Sequence, residues 1–263
     1  MSPLWPEAYT AVLGPHSVGL LRCRDREWLG STDFDAVGGL AWPSAVAALE
    51  TLLAGRKQGR AMLKVLLSSH YTRFCLVPWS EAINTPEELA GYARLCFEDI
   101  YGNLGEGWSL CLAPEAAGQP RLAAAMPDEL LTQLRSLAKA NGLQLASVQP
   151  YLVAAFNRYR AALSMDDFLF LVAEPGRGSL LLARGGRWAT VRSVALDTSD
   201  TALNDLIARE GELRGLEQDA PAGFFLHAPG RAGQFAAEVA RLDAELPEGR
   251  YQDPLHAMAM TVN

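Results

Sequence analysis

Gly14-Pro15-His16-Ser17-Val18-Gly19-Leu20-Leu21-Arg22-Cys23-Arg24-Asp25-Arg26-Glu27-Trp28 returns, 160 residues further on, as Glu174-Pro175-Gly176-Arg177-Gly178-Ser179-Leu180-Leu181-Leu182-Ala183-Arg184-Gly185-Gly186-Arg187-Trp188. Laid over one another without a gap, the copies share Pro15/Pro175, Leu20/Leu180, Leu21/Leu181, Arg24/Arg184 and Trp28/Trp188. Each reads as strand, Gly/Pro turn, strand, polar turn, strand. Any two hairpins share turn residues, so the order of the elements after each copy weighs more. Both copies lead into helix and strand elements in a similar sequence, which predicts two related halves.

Outward from the first copy, residues 9–13 and 17–23 read as strands and residue 27 opens a third. Pro43 begins a helix to residue 54, with Val46, Leu49 and Leu53 on one face and Gly55 as its stop. Residues 62–67 are an apolar run broken only by Lys64, read as a strand covered on both faces. Residues 71–77, closed by Pro78, read as the hairpin partner of that run. Thr85-Pro86-Glu87-Glu88 is a helix start with reciprocal caps, followed by Leu89, Ala93, Cys96 and Ile100 at helical spacing. Strands are expected at 108–112, 121–125 and 143–148, and helices from Asp128 to Asn141 and over 150–163. Around the second copy, strands are expected at 168–173, 179–184, 187–194 and 224–227, with helices over 201–215 and 232–246.

The 263 residues are 49% hydrophobic and 20% charged, which suits a globular chain able to bury a core without disulfides or a structural metal. A net charge of −7 with scattered arginines argues against a non-specific grip on nucleic acid. Cys23, Cys75, Cys96 and Cys111 are widely spaced among apolar neighbours, the pattern of small core residues rather than a zinc site or disulfide framework. No positively charged leader and no apolar span of roughly twenty residues is present, so the protein is expected in the cytoplasm. Ser68-Ser69-His70 resembles a nucleophile beside a base, but adjacent strand residues point to opposite faces, and a strand-end turn is the better reading. Asp166-Asp167 and Asp197 to Asp200 read as caps and turns. His16, His70, His227 and His256 lack metal-ligand spacing.

Two strand–turn–strand units, each opening a βββαβα half, resemble the actin-like, ribonuclease H-like plan. Within it, Leu66-Leu67-Ser68-Ser69-His70-Tyr71-Thr72-Arg73-Phe74 through Pro78-Trp79 is similar to a region of the PilM, MshI and GspL cytoplasmic-domain group. Glu174-Pro175-Gly176, Gly185-Gly186-Arg187-Trp188 and Val191-Arg192-Ser193-Val194 resemble that group's second phosphate hairpin and following strand. The resemblance implies an α/β fold of duplicated lobes facing a cleft. Residues 1–163 would form the first lobe, with a hairpin and helix insertion, and residues 164–263 a shorter second lobe.

The resemblance also implies a nucleotide site, with Gly14, Ser17, Glu174, Gly176, Gly178 and Gly230 at its positions. The departures make that site degenerate. Val12 stands where ATP-using members carry a magnesium-side Asp, and Gly19 where they carry a lysine. Glu174 replaces an Asp, and Phe225-Leu226-His227-Ala228-Pro229-Gly230 keeps one glycine of the adenosine-binding pair. Phosphoryl transfer depends on positioning and charge neutralisation. The expectation is therefore no catalytic residue, no metal site and no cofactor, with ATP and magnesium the ligands of any residual site. The expected role is a cytoplasmic scaffold of a bacterial type IV pilus or type II-like secretion platform. It would be recruited to the inner membrane by a short cytoplasmic segment of an assembly protein. The helix from Thr85 to Tyr101 and the strand over 108–112 are candidates for that groove. The rivals are a divergent actin-like ATPase and an orphan actin-like binding module of another complex.

Overall fold

The computed structural model describes residues 7–35, 41–54, 61–102, 107–163, 166–214, 223–231, 233, 235–236, 238–243 and 253–262. Along the chain come β1 (Ala8–Leu13), β2 (Ser17–Arg22), β3 (Glu27–Asp33), α1 (Trp42–Leu53), β4 (Ala61–Leu67) and β5 (Arg73–Val77). Next are α2 (Pro86–Tyr101), β6 (Trp108–Leu112), β7 (Arg121–Pro127), α3 (Asp128–Ala140), β8 (Leu143–Pro150) and α4 (Tyr151–Tyr159). The remainder holds β9 (Phe168–Glu174), β10 (Gly176–Arg184), β11 (Arg187–Leu196), α5 (Asp200–Arg214), β12 (Gly223–His227), β13 (Val239–Arg241) and α6 (Pro254–Ala259). Two compact units interleave along the sequence. Met1–Tyr71, Pro127–Arg158 and Ala244–Asn263 form the first, and Thr72–Met126 with Tyr159–Asp243 the second. The boundary read from the sequence is a single cut after residue 163.

The first unit is built on a sheet of order β3-β2-β1-β4-β8. β1 pairs antiparallel with β2 and parallel with β4, which pairs parallel with β8. Ala11, Val12, Leu13, Leu63, Leu66 and Leu67 are all buried, as expected for strands covered on both faces. α1 and α3 pack on one another, and α6 packs on β1 and β2. α3 begins with Asp128 and Glu129 at its positive end and buries the stripe Leu130, Leu134, Leu137.

The second unit repeats that sheet position for position, in the order β11-β10-β9-β12-β13. Leu203, Leu206 and Ile207 of α5 join Leu169, Leu171 and Leu226 in its core. A three-stranded sheet, β5-β7-β6, carries α2 on one face around Phe97, Cys75 and Val77. The expected reciprocal cap of α2 is present: the Glu88 N–H donates to Thr85 Oγ1 at 3.1 Å, and the Thr85 N–H donates to Glu88 Oε2 at 3.1 Å.

Strand register shows how far the repeat runs. Tyr9 faces Arg22, and 160 residues on Leu169 faces Leu182, so the first hairpin of each unit has the same register. Pro15 and Pro175 coincide because proline presets the dihedral at the first corner of each turn. The second hairpins differ. Residues 23–26 join β2 to β3, whereas Gly185-Gly186 alone join β10 to β11, with φ of 54° and 70° suited to a primed two-residue turn. Trp28 therefore stands opposite Leu21 but Trp188 opposite Ala183, and the matched tryptophans are displaced by two rungs.

Three expectations need correction. β5 is not the hairpin partner of β4 but pairs with β7, because β4 already has β1 and β8 on its two edges. The expected helix over 232–246 is not formed by its described residues. Val239–Arg241 pairs parallel with β12, and the Leu242 N–H extends that ladder to the Leu226 carbonyl at 2.7 Å. Residues 232, 234, 237 and 244–246 of that span lie outside the described residues, as do Gly55 and Gly215. The helix expected over 150–163 is shorter, because Pro150 ends β8 and α4 stops at Tyr159.

Candidate functional site

In parallel sheets of this kind, ligand sites form beyond the carboxyl ends of the strands. Leu13 is level with Leu67, so the Gly14–Ser17 turn and Ser68 to Tyr71 lie at one such end of the first unit. His227 is level with Val172, which places the turn after Glu174 and the loop from Ala228 at the equivalent end of the second unit.

The first turn is closed upon itself. The Gly14 N–H donates to the Ser17 carbonyl at 2.9 Å, and Pro15 has no N–H, so half of the turn's amides are withdrawn from any anion. The Gly14 carbonyl accepts the Tyr71 hydroxyl at 2.6 Å, and the His16 carbonyl accepts the Phe34 N–H at 2.9 Å. Ser68 continues the ladder, its N–H donating to the Leu13 carbonyl at 3.0 Å, while its hydroxyl accepts the His70 N–H at 3.2 Å. Ser68-Ser69-His70 is thus a strand-end turn. Ser17 is half-buried opposite Asp33.

Side chains from elsewhere in the unit fill the space around this hairpin. A Cβ on Gly14 would meet Leu255 Cδ2 of α6 at 2.7 Å. A Cβ on Gly19 would meet the Trp28 ring at 2.1 Å, so the indole lies directly on the glycine. Trp28 in turn stacks on His256 of α6, with centroids 5.0 Å apart and planes at 21°. Val12 is fully buried opposite Gly19 and Leu66. Neither position offers room for the carboxylate or ammonium of a phosphate site.

In the second unit, Glu174 ends β9, 1% exposed, and faces Arg177 across the turn Pro175-Gly176. Gly176 has φ 78°, the left-handed geometry that a proline-led type II turn requires at its second corner. Gly178 has a packing reason: a Cβ there would press on Leu206, Leu196 and Leu171 at 3.3–3.5 Å. Gly230, with φ 77°, closes another Pro-Gly turn, the Arg231 N–H donating to the Ala228 carbonyl at 3.2 Å. The Arg231 guanidinium then donates to the carbonyls of Ser199 at 2.7 Å and Asp197 at 2.8 Å, with Asp200 at 3.8 Å. This locks the loop after β12 to the start of α5.

The sequence-expected residues therefore fall into two groups. Gly14 and Ser17 share the first hairpin, while Glu174, Gly176 and Gly178 share the second with Gly230 in the neighbouring loop. The sequence reading missed Trp28, His256, Leu255 and Arg231 as the side chains that fill these turns. The four cysteines are free thiols, and burial pushes the Cys75 thiol up to about 12, far from thiolate chemistry. Among the described residues no three His, Cys, Asp or Glu side chains gather as a metal site, and no helix is long and apolar enough to cross a membrane.

Duplicated β3-β2-β1-β4-β8 sheets with helices on them define an actin-like fold, and comparison with solved structures agrees. The chain is similar to a chain of the PilM–PilN type IV pilus biogenesis complex, with TM-score 0.62, 16% identity and 97% of each chain covered. It is also similar to the cytoplasmic domain of EpsL, an inner membrane component of the type II secretion system of Vibrio cholerae. That match has TM-score 0.57 and 14% identity over 98% of this chain and 96% of the other. A Bacteroides thetaiotaomicron protein with an actin-like ATPase fold and unknown function matches with TM-score 0.61 and 9% identity, over 98% and 96%. No protein-family profile and no curated protein matches the sequence. At these identities the likenesses establish the fold alone.

Proposed function

We propose that this protein is a non-hydrolysing actin-like scaffold of a pilus or type II-like secretion platform, docked on the cytoplasmic side of the inner membrane. It would work by holding a short segment of a membrane assembly protein. The observation that carries this reading is the Trp28 ring seated on Gly19. ATP and magnesium, which the fold implies, do not fit the first hairpin. Its lysine position is covered by an indole, its carboxylate position is a buried valine, and two of its turn amides are unavailable. The likeness to a chain of the PilM–PilN complex and to the EpsL domain supports the choice of machine. A bound segment needs only backbone hydrogen bonds and apolar pockets, which the fold retains without catalytic groups.

The purified protein should release no phosphate from ATP or GTP above buffer. Cross-linking in the native cell envelope should join it to one inner-membrane protein of a pilus or secretion operon. Magnesium-dependent hydrolysis abolished by substituting Gly14 or Glu174 would replace the scaffold by the divergent ATPase.

A further inference from the structure

α2 buries Ala93 and Phe97 on the three-stranded sheet. It leaves Leu95 58% exposed and Ile100 57% exposed. Residues three and four apart share a face of a helix. Leu95 therefore has Gly91 and Tyr92 one turn before it and Glu98 and Asp99 one turn after it, while Ile100 lies one turn beyond Cys96. Tyr92 and Cys96 are half-buried and join the two exposed side chains to the core. Together they make an apolar strip along α2, edged by carboxylates towards its C-terminal end.

Two features of this strip run against helix stability. Glu98 and Asp99 stand at the negative end of the helix dipole, and the last turn holds no base. Neither acid has an ion-pair partner among the described residues. α3, by contrast, carries its acids in the first turn and Lys139 in the last. Gly91 sits in mid-helix, where alanine is favoured. A Cβ there would meet nothing within 4 Å, so no packing among the described residues calls for glycine. Natural sequences break such local rules chiefly at functional surfaces.

Charge selects the occupant. Along α2 the carboxylates of Glu87, Glu88, Glu98 and Asp99 stand against a single base, Arg94, and the whole chain carries −7. A second copy would bring like charge, and an anionic lipid surface would be repelled for the same reason. The complementary occupant is apolar and basic. Cytoplasmic flanks of inner-membrane proteins carry an excess of Lys and Arg beside their apolar spans. We propose that Tyr92, Leu95, Cys96 and Ile100, with Glu98 and Asp99, dock a short membrane-protein segment in which Lys or Arg is interleaved with Leu- or Ile-type residues. The segment's apolar side chains cover Leu95 and Ile100, Gly91 lets its backbone come close, and its cations neutralise the acids at the helix end. That the segment belongs to a membrane protein rests on the scaffold reading; that this face takes a basic apolar peptide does not.

The test is fluorescence anisotropy of the full chain with fluorescein-Leu-Arg-Leu-Leu-Lys-Leu-amide. Two counterparts serve as controls, one with Glu for Arg and Lys, the other with Ser for every Leu. The basic apolar peptide should bind saturably and each counterpart about tenfold more weakly. Leu95→Ser should weaken binding about tenfold. Glu98→Gln with Asp99→Asn should weaken it about fivefold, whereas Glu50→Gln with Asp205→Asn, the same charge change at exposed sites on α1 and α5, should not. The Glu98/Asp99 variant should also raise the urea midpoint, because it relieves the dipole. No saturable binding, or equal binding of the Glu counterpart, overturns the docking face. Equal losses in the two charge variants overturn its location, and a lower urea midpoint assigns Glu98 and Asp99 to the fold instead. Binding to phosphatidylglycerol vesicles that Leu95→Ser abolishes would overturn the peptide as occupant. Failure to cross-link a membrane partner would remove the scaffold reading and leave the peptide result standing.

Discussion

Gly19 is the residue at which packing and lost chemistry meet. Its Cβ position is taken by Trp28, so Gly19→Ala must push the indole off its stack with His256. The expected cost is about 1–3 kcal/mol in urea unfolding, typical of overpacking. Pairing it with Trp28→Ala should recover much of that loss, giving a clear coupling energy. Val12→Asp should cost about 1–3 kcal/mol through desolvation of a carboxylate and create no phosphate release, because the lysine position stays covered. The resemblance puts Val12 and Gly19 where ATP-using members carry an Asp and a lysine. It did not show why glycine is required, because Trp28 acts with His256, which lies far away in the chain. Periodicity reports which face a residue takes, not which distant ring lies on it.

At the level of elements, local chemistry was legible and long-range pairing was not. The cap of α2 could be read from Thr85-Pro86-Glu87-Glu88 and is built as expected. Thr85→Ala should cost about 1 kcal/mol and raise hydrogen exchange at the amides of Glu87 and Glu88, with the sheet amides of β7 unaffected. The apolar run over 62–67 located β4, whereas β1 was legible from the Gly14-Pro15 turn that follows it. The sequence does not predict β13, because the stretch around Ala236 and Val239 favours helix locally. Its three residues become a strand only because β12 offers a free edge. The sequence points β5 to the wrong partner, because adjacency says nothing about β8, which arrives later to occupy that edge of β4. The candidate hairpins were located from their Pro and Gly residues, whereas the side chains that fill them came from other elements.

On the scale of the whole molecule, acid should weaken the protein through His227. The ring is buried, its Nδ1–H donates to the Leu242 carbonyl at 2.6 Å, and Tyr159 lies 5.0 Å away. Burial holds its pKa well below the ordinary 6.5, at about 4. Above pH 6.5 the ring is neutral in both folded and unfolded chains. As the pH falls from 6.5 towards 4 only the unfolded chain takes the proton, so stability drops by about 3 kcal/mol and then levels off. Urea midpoints across that range should show this slope, and His227→Phe should flatten it whatever its cost at neutral pH. The interleaving of the two units bears on how the molecule is made. β1 leaves the ribosome early, yet α6, whose Leu255 covers Gly14, is translated long after it. The first hairpin must therefore wait with one side bare while the intervening unit is synthesised. A nascent chain stalled before Pro254 should bind trigger-type chaperones at β1 and β2 and release them once α6 has emerged.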